Sequence, residues 1–331
     1  MVASGIVSAA LVLLTDWYLW KKFFRGKNWK SAAWWLPTAL LALCVAGAAS
    51  GLWHTFFMRA TYALVFVAVL PKMLFALFHL LLGIKGGLLV AAASVVCFIY
   101  GMTAGFHRLQ VTRETIECEA LPAAFDGYRI VHLSDFHLGS YGRGSSFPGR
   151  VADSVLALKP DLIVFTGDLV NVSADEATVF LDELARLSAP DGVFAVTGNH
   201  DYGFVKGGAD SSFARICAIE RSAGWTVLDN SSAVIRRGAD SLFLAGVENT
   251  SSGGFFISRG DLEKALEGIP DGAFKILLTH DPKHWRAEVL PSSDVQLTLS
   301  GHTHAMQLKV LGLSPAALLF KEWGGKYVAD S

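Results

Sequence analysis

The chain has 331 residues and a formal net charge of −1. That length is sufficient for one or two domains with their own cores, and the charge balance gives no sign of a nucleic-acid-binding protein. Hydrophobic residues make up 52% of the sequence, and the mean hydropathy is +0.42. Nearly all of this apolar excess lies before residue 107. We therefore predict a membrane region over residues 1–106 and a globular domain over residues 107–331.

Four apolar stretches in the first region are each long enough for a helix to cross a hydrocarbon core of about 30 Å. They are Val2–Trp20, Ala32–Trp53, Ala60–Leu82 and Gly86–Phe106. Tryptophans at several of their ends fit a membrane interface. The third stretch carries Pro71 and Lys72 at its middle, so Lys72 is either buried among helices or snorkels, or the stretch is a re-entrant pair. Basic residues follow the first stretch instead of preceding it, which disfavours a signal peptide.

The distribution of basic residues predicts the orientation of these helices. If the first loop is cytoplasmic, the inside carries six basic residues and the outside carries three near the membrane. The inside set is Lys21, Lys22, Arg25, Lys27, Lys30 and Lys85, and the outside set is Arg59, Arg108 and Arg113. With four spans, this places the globular domain outside the cytoplasm. A re-entrant third stretch would reverse the orientation.

The globular region alternates short apolar strands with amphipathic helices, a pattern typical of layered α/β folds. The predicted strands are Tyr128–Leu133, Leu162–Thr166, Val193–Thr197, Thr226–Leu228, Ala233–Ile235, Ser241–Gly246, Phe274–Thr279 and Val295–Ser300, of which the fourth to sixth are expected to form a meander. The predicted helices are Val151–Leu158, Glu176–Leu187, Phe213–Ser222 and Asp261–Leu266.

Five of these strands run directly into residues that bind metals well. In chain order the segments are Ser134-Asp135-Phe136-His137, Gly167-Asp168, Gly198-Asn199-His200-Asp201, His280-Asp281 and Gly301-His302-Thr303-His304. The carboxyl ends of strands in α/β sheets are where sites form. The preceding glycines permit tight turns that let the ligand project at once. Imidazole and carboxylate ligands suit Mn, Fe or Zn.

Each segment alone has an ordinary structural explanation. Asp168 could cap a helix, Asn199 could belong to a turn, and His280 could be a satisfied core histidine. Five such segments at equivalent positions after apolar strands are poorly explained by chance. The four cysteines, in contrast, show no CxxC spacing and predict no zinc knuckle.

Together these five segments resemble the calcineurin-like metallophosphoesterases over roughly residues 110–331, and the arrangement resembles bacterial members with an amino-terminal membrane segment. The resemblance implies a four-layer αββα sandwich and a site for two divalent cations, Mn, Fe or Zn. One cation would take Asp135, His137, Asp168 and His304, and the other would take Asp168, Asn199, His280 and His302. Asp168 would bridge them, while His200 would face the substrate phosphate.

Two features of the sequence depart from the family pattern. Asn171 stands where many members have an acid, which leaves the orientation of His200 open, and Ala305 and Met306 replace two glycines at the pocket rim. Only 27 residues follow His304, and residues 324–331 read like the start of a hairpin. Because similar phosphoesterases add further strands there, the domain is expected to lack its last strands.

The predicted function is that of a membrane-bound phosphoesterase in which a hydroxide between two cations attacks a phosphoester or pyrophosphate. Its partners would be a phosphorylated small molecule or lipid and membrane lipid, with no nucleic acid. A tethered nucleotide or protein phosphatase is the alternative enzyme. A non-catalytic membrane protein that senses a metal or phosphate is the alternative of another class.

Overall fold

The computed structural model describes residues 2–26, 28–49, 55–203, 208–251, 256–307, 309 and 312–329. The chain divides into two compact units, residues 1–110 and residues 111–331. The boundary lies close to the point where the sequence changes from apolar to mixed composition.

The first unit is helical. Its helices are α1 (Val2–Leu19), α2 (Asn28–Ala49), α3 (Thr55–Leu64) and α4 (Leu70–Tyr100), with π-helical turns at Trp20–Phe24, Val65–Val69 and Gly101–Gly105. Among the described residues, Trp29–Gly47 and Arg59–Gly105 are long and apolar enough to cross a membrane. Gly83 interrupts the longer stretch, because its φ of 72° is not helical. Trp53, the predicted end of the second span, lies outside the described residues.

Lys72 lies among the helices of the first unit, and its side chain is only 12% exposed. Its ammonium lies 2.9 Å from an Asp16 carboxylate oxygen of α1 and donates to the Trp34 carbonyl of α2 at 3.1 Å. The Trp34 ring lies 4.3 Å away, and Thr38 donates to the other Asp16 oxygen. A π-helical turn, Val65–Val69, precedes Pro71, whose nitrogen has no hydrogen to donate to the helix. A buried charge of this kind is stable only when it is paired.

Removing one member of this pair should cost more than removing both. The Lys72→Met variant leaves the Asp16 carboxylate buried without a counter-charge, so we expect a loss of about 3 kcal/mol or more in the free energy of unfolding. The Asp16→Asn, Lys72→Met double variant should lose markedly less. Thermal denaturation of the detergent-solubilised chain compares them, and equal losses would mean that the pair is not coupled.

The second unit contains two four-stranded sheets. The strands are β1 (Ile130–Leu133), β2 (Leu162–Phe165), β3 (Val193–Ala195), β4 (Thr226–Val227), β5 (Ser231–Arg237), β6 (Asp240–Gly246), β7 (Lys275–Leu278) and β8 (Leu297–Leu299). The helices are α5 (Phe147–Ala157), α6 (Asp175–Thr178), α7 (Leu181–Ala185), α8 (Ala209–Ser222), α9 (Leu262–Leu266) and α10 (Leu290–Ser292).

One sheet is entirely parallel, in the order β1-β2-β3-β4, and the other is mixed, in the order β5-β6-β7-β8. In the mixed sheet β5 and β6 form an antiparallel hairpin, whereas β7 and β8 run parallel to β6. The two sheets share one apolar core, to which several strands contribute alternate residues, such as Leu162 and Val164 of β2 and Leu242 and Leu244 of β6. This period of two is what a strand with one inward face produces.

The other faces of the sheets are also covered. All four residues of β2 are fully buried, as expected of a central parallel strand. Behind the mixed sheet, Leu262 and Ala265 of α9 pack with Ala245 and Leu277. The observed architecture is therefore α/β, with the carboxyl ends of β1, β2, β3, β7 and β8 all leading into the metal-capable segments.

The structure corrects two sequence predictions. Residues 226–228 do not join a meander, because β4 pairs with β3 in the parallel sheet. The helix predicted at Glu176–Leu187 is two short helices, α6 and α7, since Phe180 leaves the helical region with a ψ of 17°. No strand is present among residues 312–329, and residues 330–331 of the expected hairpin lie outside the described residues.

Candidate metal centre

Five predicted ligands share an unusual backbone conformation. Asp135, His137, Asp168, His302 and His304 have φ values between 45° and 73°, in the left-handed region. Side chains other than glycine rarely adopt this region, and it recurs at functional sites, where the surrounding structure imposes it. The loops after β1, β2 and β8 therefore turn sharply at the ligand itself.

The first group of donors consists of Asp135, His137, Asp168 and His304. His304 Nε2 lies 3.1 Å from Asp135 Oδ1 and 3.0 Å from His137 Nε2. His137 Nε2 is 3.5 Å from Asp168 Oδ2. Since the candidate donor atoms all lie within 4.8 Å of one another, one cation could be held by all four.

The second group consists of Asp168, His280 and His302, and Asn199 joins it. His280 Nε2 lies 3.3 Å from Asp168 Oδ2, 3.2 Å from the Asn199 amide oxygen and 3.2 Å from His302 Nδ1. The structure thus brings all seven sequence-predicted ligands into two adjacent groups. The only residue common to both groups is Asp168, whose Oδ2 atom faces a histidine of each.

The electrostatics favour a cation beside Asp168. This carboxylate is buried, which opposes ionisation, yet the neighbouring His280 holds the pKa of Asp168 well below its usual value. Conversely, burial lowers the pKa of His280, but the charge of Asp168 outweighs it and raises that pKa to about 10. The buried carboxylate therefore requires a positive neighbour, which is the protonated His280 itself or a cation that His280 would bind through Nε2 after losing its proton. Burial lowers the pKa of His137 to about 4, which leaves that imidazole neutral and able to ligate.

Backbone carbonyls and amides fix the orientation of several ligands. His280 Nδ1 donates to the Thr166 carbonyl at 2.7 Å, which leaves Nε2 to face the group. The His302 amide donates to the Asp135 carboxylate at 3.0 Å, and the His200 amide donates to Asp168 Oδ1 at 2.8 Å. Thus Asp168 keeps Oδ2 towards the histidines and uses Oδ1 to hold the loop after β3.

The glycines before the ligands act mainly through close contact. Only Gly167 has a positive φ, of 93°, as the sequence-based turn argument requires. A Cβ atom on Gly198 would overlap Asp168 Oδ1, and one on Gly301 would overlap Ser134 Oγ and Asp135 Oδ2. At Gly198 and Gly301 the backbone does not need the left-handed conformation that the sequence argument assumed. Glycine is required there because a larger side chain would overlap neighbouring oxygen atoms.

Asp201 holds together two loops that carry predicted ligands, a role that sequence reasoning missed. Its fully buried carboxylate accepts from the amides of Asp168, Leu169 and Gly198, each at 2.9 Å. It thereby ties the loop after β2 to the loop after β3. One feature of the sequence could have indicated this role. Asp201 is an acidic residue next to predicted ligands, yet it is not needed as a ligand itself.

His200 lies beside the donor groups without joining either. Its Nδ1 atom donates to the Asn171 backbone carbonyl at 2.7 Å, and its ring packs edge-on against His137 at 4.7 Å between centroids. Although residue 171 is not an acid, its main chain therefore orients the His200 ring. A carbonyl, which any residue supplies, orients the imidazole in place of a carboxylate.

Glu220 of α8 is a buried acid behind the site. It is fully buried, and neither carboxyl oxygen has a hydrogen-bond partner among the described residues. Burial, followed by the charges of Asp201 and Asp229, raises the pKa of Glu220 well above its usual value. The folded chain therefore keeps this carboxyl protonated at pH values where the unfolded chain ionises it.

This raised pKa predicts how stability depends on pH. Above about pH 4.5 the unfolded state loses the Glu220 proton and the folded state does not, so the free energy of unfolding falls as pH rises. The Glu220→Gln variant cannot ionise, and its stability relative to the native chain should grow between pH 5 and pH 8. Urea denaturation at several pH values measures this, with exposed Glu263→Gln as control. A constant difference across that range would contradict the raised pKa.

Comparisons with known proteins agree with this geometry. Residues 128–306 match the model of the calcineurin-like phosphoesterase family. An uncharacterised metallophosphoesterase, YkuE, from Bacillus subtilis is 33% identical over 62% of this chain and 68% of its own length. A transmembrane protein with a metallophosphoesterase domain from Danio rerio is 32% identical over 65% of this chain and 49% of its own length.

A third relative is named by its substrate. The UDP-2,3-diacylglucosamine pyrophosphatase LpxG from Chlamydia trachomatis is 36% identical over 34% of this chain and 34% of its own length. The chain therefore spans about half the length of the zebrafish relative and a third of the pyrophosphatase.

Proposed function

Because the chain belongs to the calcineurin-like phosphoesterase family of metal-dependent hydrolases, we propose that it hydrolyses a phosphoester or pyrophosphate bond of a lipid-linked substrate at the membrane. The observation that carries the chemistry is the position of Asp168 Oδ2, which lies 3.5 Å from His137 Nε2 and 3.3 Å from His280 Nε2. One buried carboxylate oxygen between two imidazole groups is suited to bridging a pair of cations.

In this proposal each cation has four ligands, one of which is shared, and the whole unit takes the four-layer arrangement that the resemblance implies. The first site comprises Asp135, His137, Asp168 and His304, and the second comprises Asp168, Asn199, His280 and His302. The donors are imidazole nitrogens, carboxylates and an amide oxygen, a set that suits Mn, Fe or Zn. Two cations so placed would activate water and neutralise charge on the phosphate.

The protein's own groups have separate tasks in this mechanism. Asp168 keeps the two ligand groups at a fixed separation, and Asp201 keeps the loops that carry Asp168 and Asn199 together. The Asn171 carbonyl accepts from His200 Nδ1 and orients the ring, so that the imidazolium form of His200 can give its Nε2 proton to a phosphate oxygen in the transition state. Such a donor acts most strongly on charge that develops during reaction.

The membrane part of the proposal rests on the first unit and on the relatives. We propose four spans over residues 1–106, with Gly83 as the break between the third and fourth, and a catalytic domain over residues 107–331 outside the cytoplasm. The pairing of Lys72 with Asp16 supports a third span that crosses fully, because the charge has a partner inside the unit. The acylated substrate in the name of the chlamydial relative supports a lipid-linked phosphate.

A panel of substrates tests the activity. The purified full-length chain, loaded with Mn, is incubated with a phosphomonoester, a soluble diester, a nucleotide and a lipid pyrophosphate in mixed micelles. We expect hydrolysis with the lipid pyrophosphate preferred in kcat/KM. Preference for the nucleotide would favour the tethered phosphatase, and no hydrolysis by metal-loaded protein would favour a sensor.

Protease accessibility tests the orientation separately. Protease is added to intact cells after any outer membrane has been permeabilised. We expect digestion beyond residue 107. The six basic residues of the inside set favour the orientation in which they are cytoplasmic, and with four spans that orientation places the globular domain outside. Protection of that region would reverse the topology.

A further inference from the structure

The segment after the ligand His304 exposes large apolar side chains. Met306, Leu313, Leu318 and Leu319, here called the apolar lip, are 46%, 77%, 87% and 62% exposed. Single exposed leucines are common on protein surfaces, whereas four large apolar side chains exposed within fourteen residues of chain are characteristic of an interaction site.

The lip is held in place by its own small buried residues. The Ser314 hydroxyl donates to the Ala305 carbonyl and accepts from the Ala316 amide at 3.1 Å. Ala316 is fully buried, and its carbonyl accepts from the amides of Leu319 and Phe320 at 3.0 and 2.8 Å. The turn is therefore anchored through Ser314 and Ala316 while its leucines point outward.

The lip lies directly beside the candidate metal centre. Ala305, the anchor of Ser314, follows His304 in the chain, and the Phe320 ring packs edge-on against His302 at 5.7 Å between centroids. An apolar surface that contacts the lip would therefore bring attached phosphates to the mouth of the site.

The charges around the lip fit an anionic partner. Lys309 and Lys321 are both exposed and flank the leucines in the sequence. The nearest acid in the chain, Glu322, is 2.6 Å from the Arg286 guanidinium, which neutralises it. Apolar side chains with adjacent lysines are the composition that binds the interface of an anionic bilayer.

We propose that the apolar lip docks into the interfacial layer of an anionic lipid bilayer and delivers lipid-linked phosphates to the metal centre. The delivery rests on the function proposed above, whereas the docking does not. Leucines enter the boundary between headgroups and acyl chains, and the two lysines remain among the lipid phosphates.

Thiol labelling tests the docking without any turnover. Leu318→Cys is introduced into the full-length chain, which is placed one copy per nanodisc of phosphatidylglycerol and phosphatidylethanolamine. Leu156→Cys on α5, where the native leucine is 37% exposed, is the control. A membrane-impermeant maleimide is added, and labelling at each position is followed by peptide mass spectrometry, which separates the new thiol from the native cysteines.

Exposure alone and docking predict opposite orders of labelling. Leu318 is the more exposed position in the protein, so without docking its thiol reacts faster than the control. With docking we expect it to react at least about tenfold more slowly. Adding Lys309→Gln and Lys321→Gln should restore labelling severalfold. Faster labelling of Leu318→Cys in nanodiscs would overturn the proposal. Equal protection in lipid-free amphipol would also overturn it, since protein would then cover the lip.

A chain that docks but hydrolyses nothing would leave the docking standing and remove both the delivery and the proposed function. A chain that hydrolyses lipid phosphates with an unprotected lip would remove the docking and leave the proposed function. The docking and the proposed function therefore fail independently.

Discussion

The Asp168→Asn variant is expected to lose more than about 10³-fold in turnover and to bind less metal than the native chain. The physical reason is that one buried carboxylate serves both donor groups, through an oxygen 3.5 Å from His137 and 3.3 Å from His280. An amide offers one neutral oxygen and cannot neutralise two adjacent cations. Elemental analysis of the purified variant, together with hydrolysis of a soluble diester, measures both effects.

Asp182→Asn is the matched control, because Asp182 is exposed on α7 and lies outside both donor groups. It should retain native metal content and turnover. Native metal content in Asp168→Asn would show that this carboxylate does not bridge, and the two groups would then have to bind cations independently.

The His200→Asn variant should separate catalysis from metal binding. Since His200 donates to the Asn171 carbonyl and belongs to neither donor group, its loss should leave both cations in place. A positioned proton donor is typically worth about 10²–10⁴ in rate. We therefore expect kcat to fall by that factor with little change in KM, the pattern of a lost transition-state interaction.

Asn171→Ala is the comparison for this experiment. It removes the Asn171 side chain but keeps the carbonyl that orients His200, so its loss should be far smaller than that of His200→Asn. Loss of metal in His200→Asn would make His200 a ligand. A loss in Asn171→Ala as large as in His200→Asn would show that the side chain, and not the main chain, orients the imidazole.

The sequence predicts the family and the α/β class because ligands follow apolar strands in a fixed order. That order can be recognised from local features of the sequence alone, namely strands rich in β-branched residues, with glycines and polar residues at the strand ends. The family match over residues 128–306 confirms the resemblance. The convergence of Asp135 and Asp168 could be expected because they follow neighbouring parallel strands, whose carboxyl ends meet at one edge of a sheet. The approach of His280 and His304 to them could not, because β7 and β8 belong to the other sheet.

Other features depend on tertiary contacts that no local pattern reports. The pairing of β4 with β3 was missed because residues 226–228 look like any short strand before a hairpin. The partner of Lys72 could not be identified, since Asp16 lies 56 residues away in the chain. The roles of Asp201 and of the Asn171 carbonyl were hidden because one acts through backbone amides and the other is backbone itself.

The stoichiometry of metal activation tests the central claim most directly. The purified full-length chain is stripped with a chelator, and Mn is added in steps while hydrolysis of a soluble diester is followed. Two donor groups that share Asp168 predict that two equivalents bind and that activity appears with the second. Full activity at a single equivalent, or binding of only one ion per chain, would contradict the account.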